Sequence, residues 1–352
     1  MCRTANGLDI NALPVFKKNI QYIINGEQDK LIDYFSGAQK DGRGNICPVT
    51  IIMPTLAMQA IETTLKTVNP EDEQYEEICV NNFIKLLTKK IGEAKDMLIE
   101  RFKHICSQSM ESARFMYENN TMSGYVPEEG IYSALKHGTI VIGQLGLAET
   151  LQILIGCNHT TEKGLELAKR IEQLFKDKCA EYKNEYKLNF GVYYTPAENL
   201  CYTAMKKFRQ KYGIIPNVSD REYFTNSMHV PVWEKMNPFQ KIDIESQLTG
   251  YSSAGCITYV ELASSAKNNI DALETLVNYA MDKDIPYFAI NVPIDTCMDC
   301  NYTDEIGDKC PKCGGTKIKR LRRITGYLST TVEHFNKGKQ AEVRDRVIHC
   351  DC

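Results

Sequence analysis

The chain has 352 residues, 43% of them hydrophobic and 25% charged, with a formal net charge of −3 at pH 7 and an isoelectric point near 6.1. This composition predicts a globular protein and argues against a disordered chain or a general nucleic-acid binder. The 14 cysteines, with no signal-peptide pattern, predict a reducing, cytoplasmic location and no disulfide framework.

The first half of the chain is predicted to contain buried strands and long helices. A β-branched run at 49–54 is typical of a buried strand that Pro54 ends. Apolar residues recur at intervals of three and four between 71 and 117, which indicates two or more helices on one side of a sheet. The most apolar stretch, 139–156, is interrupted by polar residues such as Glu149. It therefore predicts a buried strand and helix, and no membrane span.

The second half alternates between helical and strand periodicity. The segment Thr160-Thr161-Glu162 is expected to cap a helix that reaches about Tyr186, and another helix is predicted at 268–283. This alternation predicts an α/β barrel portion over residues 1–295, and a zinc ribbon with a following loop and helix over 296–352. Strands are predicted at 189–194, 256–262 and 287–292.

Two C-x-x-C pairs near the C-terminus predict a metal centre. Cys297 and Cys300 form the first pair, and Cys310 and Cys313 form the second. Four thiolates from two tight turns suit a tetrahedral Zn²⁺ ion, and such a closed site is structural because it leaves no position for water or substrate. Redox C-x-x-C chemistry and unrelated buried thiols are the alternatives.

A glycine follows the cysteine pairs in the string Arg322-Arg323-Ile324-Thr325-Gly326-Tyr327-Leu328. Taken alone, Gly326 predicts an ordinary turn. The order of cysteine pairs, this loop and a short polar helix at 340–347, however, resembles the C-terminus of the class III, oxygen-sensitive ribonucleoside-triphosphate reductases. Further segments that resemble this family in the right order are 195–202, 223–232 and 254–261.

The resemblance implies a radical enzyme with a ten-stranded α/β barrel of the glycyl-radical type. Gly326 would carry a stable backbone radical, made by a separate activase with an iron-sulfur cluster and S-adenosylmethionine. Residues 1–4 followed by 42–45 resemble the family's finger loop and next strand, so Cys2 would become the thiyl radical. The alternative for Cys2 is a frayed terminal thiol without a role.

Family members are usually much longer, and their finger loop lies in the middle of the barrel. The resemblance therefore implies a C-terminal half, from a split gene, a truncated frame or a fragment, that needs an N-terminal half. It also implies ribonucleoside triphosphates as substrates and a homo-oligomeric full enzyme, with no nucleic acid and no membrane as partners.

The segment after the strand at 189–194 is a candidate for phosphate or ribose contact. A hydroxyl, a proline at the first helical position and then helix formers would direct backbone N–H groups of a helix start at an anion. The alternative is an ordinary strand-to-helix turn capped by Thr195, and His229 is expected to be a core histidine. The candidate residues are Thr195, Pro196, Ala197, Glu198 and Asn199.

One position bears on the electron source. Formate-using members carry an asparagine where this chain has Ile52. In this respect the chain resembles the branch of the family that is reduced by a thioredoxin- or glutaredoxin-like protein. Cys47 and Cys256 are candidates for the second thiol of that branch.

The sequence thus predicts reduction of ribonucleoside triphosphates by glycyl and thiyl radical chemistry. A non-catalytic zinc-ribbon remnant or regulator and another glycyl-radical enzyme, such as a lyase, are the alternatives. The basic run 317–323 predicts a solvated face, or contact with a phosphate or an acidic partner.

Overall fold

The computed structural model describes residues 9–11, 13–30, 44–119, 121–122, 124–324 and 327–349. These ranges contain nine strands and eleven α-helices, and none of the helices combines the length and apolar content needed to cross a bilayer. The helices are α1 (Leu13–Ile24), α2 (Met53–Thr64), α3 (Tyr75–Cys106), α4 (Arg114–Glu118), α5 (Tyr132–Leu135), α6 (Leu147–Ile155), α7 (Glu162–Tyr186), α8 (Glu198–Tyr212), α9 (Pro238–Thr249), α10 (Ile270–Asp282) and α11 (Lys337–Asp345). The strands are β1 (Asn45–Ile52), β2 (Thr139–Leu145), β3 (Asn189–Tyr193), β4 (Thr258–Glu261), β5 (Phe288–Asn291), β6 (Ile294–Cys297), β7 (Thr303–Asp304), β8 (Ile318–Ile324) and β9 (Tyr327–Ser329).

The main sheet consists of a three-stranded and a two-stranded parallel group, with the strands in sequence order. β1, β2 and β3 pair in parallel, as do β4 and β5. An isolated parallel bridge between Tyr193 and Gly255 connects the two groups just before β4. The predicted alternation of strands and helices is therefore confirmed as an α/β fold, because parallel neighbours require a crossover connection between them.

Helices cover one face of this sheet and leave a second, inner face. Ile140 and Ile142 of β2 pack into the large core cluster with residues of α3 and α7. The intervening Val141 packs with Tyr193 and Ala254 on the opposite side, which we call the inner face. Since side chains alternate along a strand, the residues two and four positions from Val141 share this face.

The long helix α3 buries an apolar stripe against the sheet. Phe83, Leu87, Ile91 and Leu98 are fully buried along its length, at the four- and seven-residue spacing of one helical face. Each such side chain contributes roughly 1.5–3 kcal/mol by leaving water. The region 71–117, predicted to hold two or more helices, contains this long helix and the short α4.

The first predicted strand differs from the observed one at both ends. β1 begins at Asn45 and ends at Ile52, so Pro54 lies in the first turn of α2 rather than ending the strand. A proline is tolerated there because the first turn of a helix needs no N–H from it. The cap predicted within residues 160–162, in contrast, is observed: Thr161 caps α7 and accepts a hydrogen bond from the Gly164 amide at 3.1 Å.

Candidate functional site

The two C-x-x-C turns share one backbone conformation. The carbonyl of Cys297 accepts a hydrogen bond from the amide of Asn301 at 2.9 Å, and the carbonyl of Cys310 accepts one from Gly314 at 2.8 Å. Asn301 and Gly314 both adopt a left-handed conformation, with φ of 59° and 74°. Glycine and asparagine are the residues that enter this region most easily, so each turn closes behind its second cysteine.

The four thiols converge on one point. Their sulfur atoms all lie within 4.8 Å of one another, and the Sγ atoms of Cys297 and Cys313, and of Cys300 and Cys310, are 3.6 Å apart. Zn–S bonds of about 2.3 Å in a tetrahedron place the sulfurs roughly 3.8 Å apart. The donor set therefore fits Zn²⁺. Because these close approaches run between the two turns, the arrangement does not favour two separate redox pairs.

A buried aspartate joins this ribbon to the strand that follows it. Asp295 of β6 is fully buried and accepts two hydrogen bonds from Arg322, at 2.6 and 3.2 Å, and one from Arg320 at 3.1 Å. The backbone amide of Ile306 donates to the same carboxylate at 3.0 Å. A bidentate arginine pair fixes geometry as well as charge, so Asp295 holds β8 against the ribbon.

The basic run 317–323 is thus partly internal rather than a simple solvated face. Arg320 and Arg322 donate hydrogen bonds to Asp295, and the guanidinium of Arg323 lies over the ring of Tyr259, 5.3 Å from its centre. The prediction of a solvated face is wrong for these three arginines, since an acidic side chain of the same chain takes up two of them. Lys317 and Lys319 remain exposed.

The antiparallel hairpin of β8 and β9 presents the loop that contains Gly326. Ile324 pairs with Tyr327, and Arg323 pairs with Leu328. Gly326 itself, like Cys2, lies outside the described residues, as do residues 1–4 and 42–43 of the finger-loop resemblance. What the structure describes at this place is the two strands that lead into the loop and out of it.

The carboxyl ends of β1, β2 and β3 meet three helix starts. α2 follows β1 directly, α6 follows β2 after Gly146, and α8 follows β3 after four residues. Gly146 is required here because a Cβ atom would lie 2.5 Å from Pro54, and because its φ is +79°. Ligands of open parallel sheets bind outside this edge, so it is the natural place for a substrate.

The predicted substrate segment lies at this edge, but its geometry differs from the expected one. Ala197, with φ of 48°, occupies the cap position of α8, so Pro196 precedes the cap instead of opening the helix. Thr195 is therefore not the helix cap. Its hydroxyl accepts a hydrogen bond from the hydroxyl of Thr50 at 3.0 Å, which joins the ends of β3 and β1.

Two other segments brace the start of α8. The side-chain amide of Asn226 donates to the carbonyl of Pro196. Asn336, the cap of α11, donates to the side chain of Asn199 at 2.8 Å and to the carbonyl of Glu198 at 3.3 Å. The segment 195–199 is consequently held by β1, by the loop at 223–232 and by the C-terminal helix.

A buried ion cluster lies beside the loop at 223–232. Glu245 of α9 is fully buried and contacts Lys241 and, at 3.4 Å, the Nδ1 atom of His229. Burial opposes its ionisation, but Lys241 and His229 hold the pKa of Glu245 below its usual range. His229 also packs on Tyr259. These contacts support the prediction that His229 is a core histidine.

The candidate second thiols lie away from the inner face. Cys47 and Cys256 belong to the core cluster on the helix-covered side of the sheet. Burial raises the pKa of the Cys47 thiol, and the opposing effect of Arg101 is smaller. The raised pKa keeps the thiol protonated and weakly reactive. Ile52 ends β1 beside Leu145 and packs against the cluster of α8.

Several site residues carry no signal in the sequence. Asp295, Glu261 and Arg346 form long-range ion pairs between elements that are distant along the chain. The one local hint is the i,i+4 spacing of Glu342 and Arg346, which predicts at most a helix-surface pair.

A family model described as anaerobic ribonucleoside-triphosphate reductase matches residues 2–349. The chain belongs to this family. Curated relatives of that name from Haemophilus influenzae and Enterobacteria phage T4 are each 32% identical, over 327 and 321 residues. Each alignment covers 88% of this chain but 43% and 49% of the relative. The chain thus spans less than half the length of these reductases.

Solved structures agree on the fold. An anaerobic ribonucleotide reductase superposes with a TM-score of 0.64 at 22% identity, covering 90% of this chain and 46% of the other. The Thermotoga maritima enzyme in complex with dATP and CTP gives 0.57 at 21% identity, covering 87% and 46%. The resemblance to the class III reductases is therefore confirmed, and membership of the family favours it over another glycyl-radical enzyme, such as a lyase.

Proposed function

We propose that this chain supplies the radical-bearing half of an anaerobic ribonucleoside-triphosphate reductase, an oxidoreductase that makes 2′-deoxyribonucleoside triphosphates. One observation carries the proposal. The Cys₄ centre and Asp295 together fix the hairpin of β8 and β9, and this hairpin leads into and out of the loop with Gly326. Such support suits a residue that must hold a fixed place relative to a reacting cysteine.

The residues divide the chemistry between them. Zn²⁺ in the Cys₄ centre has a structural role. Gly326, once converted to its backbone radical by an activase with S-adenosylmethionine, stores an oxidising equivalent. Cys2 would use it to remove the 3′-hydrogen of the ribose and return it later. Overall, a ribonucleotide and a dithiol give a deoxyribonucleotide, a disulfide and water.

The substrate triphosphate is proposed to lie at the start of α8, along residues 195–199. The N–H groups and dipole of a 15-residue helix favour an anion there. The hydrogen bond between Thr195 and Thr50 fixes the approach to the inner face of the sheet. The left-handed Ala197 lets the chain turn sharply from β3 into the helix.

An N-terminal half is the proposed main partner. Within the described ranges, β1 and β5 each pair with a strand on one side only, so the five parallel strands have two open edges. Open edges of this kind accept further strands, and five more would complete the ten-stranded barrel. We also propose that the barrel portion ends at residue 295 and the zinc ribbon begins at residue 296. The full enzyme is proposed to be a homo-oligomer in the cytoplasm. None of the eleven cysteines in the described part forms a disulfide.

The proposed reductant is a thioredoxin- or glutaredoxin-like protein. Ile52 ends β1 beside the start of α8, at the edge where the substrate is placed. An apolar side chain there cannot orient formate by hydrogen bonds.

Reconstitution tests the proposal. The anaerobically activated chain alone should make no deoxynucleotide, because in this proposal the N-terminal half supplies strands that position Cys2. Addition of a separately expressed N-terminal reductase half should restore turnover with a dithiol protein as reductant. Cys2→Ser should abolish this turnover, while Cys157→Ser, in the turn between α6 and α7, should retain it.

Other outcomes would count against particular parts. Turnover by the isolated chain, or by the Cys2→Ser complex, would refute the assignment of Cys2. Formate-dependent turnover, with CO₂ released in step with deoxynucleotide, would refute the assignment of the reductant.

A further inference from the structure

The chain leaves α11 at Arg346, whose guanidinium reaches the strand that leads into the Gly326 loop. Its Nη1 atom donates to the carbonyl of Arg323 at 2.8 Å. Arg323 lies one residue before the end of β8 and pairs with Leu328 of β9. The contact therefore falls on the backbone close to the loop, next to Arg322, whose side chain Asp295 holds.

The guanidinium is itself fixed by two carboxylates from different elements. Nη1 also contacts Glu261, at the end of β4, at 2.9 Å, and Nη2 donates to Glu342 of α11 at 3.1 Å. Although burial opposes ionisation, Lys339 and Arg346 lower the pKa of Glu342 to about 2, so it is charged at neutral pH. A planar arginine held by two anions has little freedom to move.

Glu261 provides a rigid reference for this contact. The amide of Asn291 in β5 donates to its carboxylate at 2.9 Å. Its backbone amide donates to Nδ1 of His349 at 2.9 Å, and its carbonyl accepts from the His349 amide at 2.8 Å. Arg346 therefore connects the hairpin to the parallel strands and fixes its position relative to them.

We propose that Arg346 is a positioning residue, which registers the hairpin of the radical loop against the sheet and α11. That the loop carries a radical rests on the proposed function. The contact between Arg346 and Arg323, and its effect on the hairpin, do not depend on that function. A lysine could keep one charge near Glu342 and Glu261. It could not reach both carboxylates and the carbonyl of Arg323 at once, because it lacks the planar fork.

Hydrogen exchange of the unactivated, zinc-loaded full chain tests the proposal. Arg346→Lys should raise amide exchange in the peptide that covers 322–329 by roughly ten-fold, while exchange in β1, β2 and β3 and the zinc content stay unchanged. Arg346→Ala should show the same local effect or a larger one. Arg344→Ala, on the exposed side of α11, is the matched control and should exchange like the wild type.

A second measurement follows the decay of the radical in activated protein. The Arg346→Lys radical should decay several-fold faster under strict anaerobiosis than that of the wild type or Arg344→Ala, because a loosened loop exposes it. Wild-type exchange at 322–329 in Arg346→Lys would overturn the inference, as would equal loss of protection in the hairpin and the main sheet. Absence of a radical in the wild type would instead count against the proposed function, and the exchange result would still decide the role of Arg346.

Discussion

Glu172 of α7 is a fully buried carboxyl that has neutral partners. The side-chain amide of Gln144 in β2 donates to it at 2.8 Å, and Tyr194 also hydrogen-bonds to it. Burial, which outweighs these hydrogen bonds, raises the pKa of Glu172 from 4.5 to about 8. The folded protein therefore holds a neutral carboxylic acid here at neutral pH, on the helix-covered side of the sheet.

This shift predicts a pH-dependent effect of Glu172→Gln on stability. Between pH 4.5 and 8 the folded chain keeps a proton that the unfolded chain has lost, so the wild-type free energy of unfolding falls as pH rises. The glutamine variant lacks this loss. Its stability relative to the wild type should therefore improve by about 2 kcal/mol between pH 5.5 and 7.5.

Urea unfolding at the two pH values measures this difference, with Glu166→Gln on the exposed side of α7 as the control. The control should change by less than about 0.5 kcal/mol at either pH. A Glu172→Gln effect that is independent of pH would mean that Glu172 is ionised in the folded protein.

At the scale of elements, the zinc ribbon is the support of the hairpin, and its metal can be removed. Purified protein should contain about one equivalent of zinc, and Cys297→Ser with Cys310→Ser should contain none, because each turn loses a ligand. Loss of zinc should also make residues 318–329 sensitive to proteolysis, since β6 and β8 belong to the ribbon sheet. Elemental analysis and limited proteolysis measure the two effects.

Cys157→Ser is the control and should keep its zinc. Protein without zinc after anaerobic purification, or unchanged zinc in the double variant, would contradict the assignment of the four ligands.

Local sequence signals predicted some element boundaries and not others. The cap of α7 within residues 160–162 is predictable because a threonine cap needs only its own side chain and the next three residues. The same reasoning failed at α8, where Pro196 precedes the cap. There Asn226 donates a hydrogen bond to the carbonyl of Pro196, and Ala197 takes a left-handed conformation. Neither feature can be predicted from the local sequence.

On the scale of the whole molecule, the sequence predicts the four clustered cysteines and the positions of several strands but not the contacts that join them. The Cys₄ centre depends on two short turns, each specified within six residues. Asp295 with Arg322, and Arg346 with Glu261, depend instead on how distant segments pack. The inner face was equally hidden, because β2 is buried on both sides and reads as a continuous apolar run.

In the part of the chain that the structure describes, a three-stranded and a two-stranded parallel sheet lie beside a ribbon-supported hairpin. Family membership covers nearly the whole chain, while the chain covers less than half of its relatives. The central claim is that this portion carries the radical of the reductase at Gly326.

Electron paramagnetic resonance of the activated chain tests that claim most directly. After anaerobic treatment with the cognate activase and S-adenosylmethionine, the wild type should give a doublet, since a glycyl Cα radical couples to its single remaining hydrogen. Later exposure to air should cleave the chain at Gly326, and Gly326→Ala should show neither effect. A doublet of equal intensity in Gly326→Ala, or no doublet in wild-type protein with an activase of proven activity, would contradict the claim.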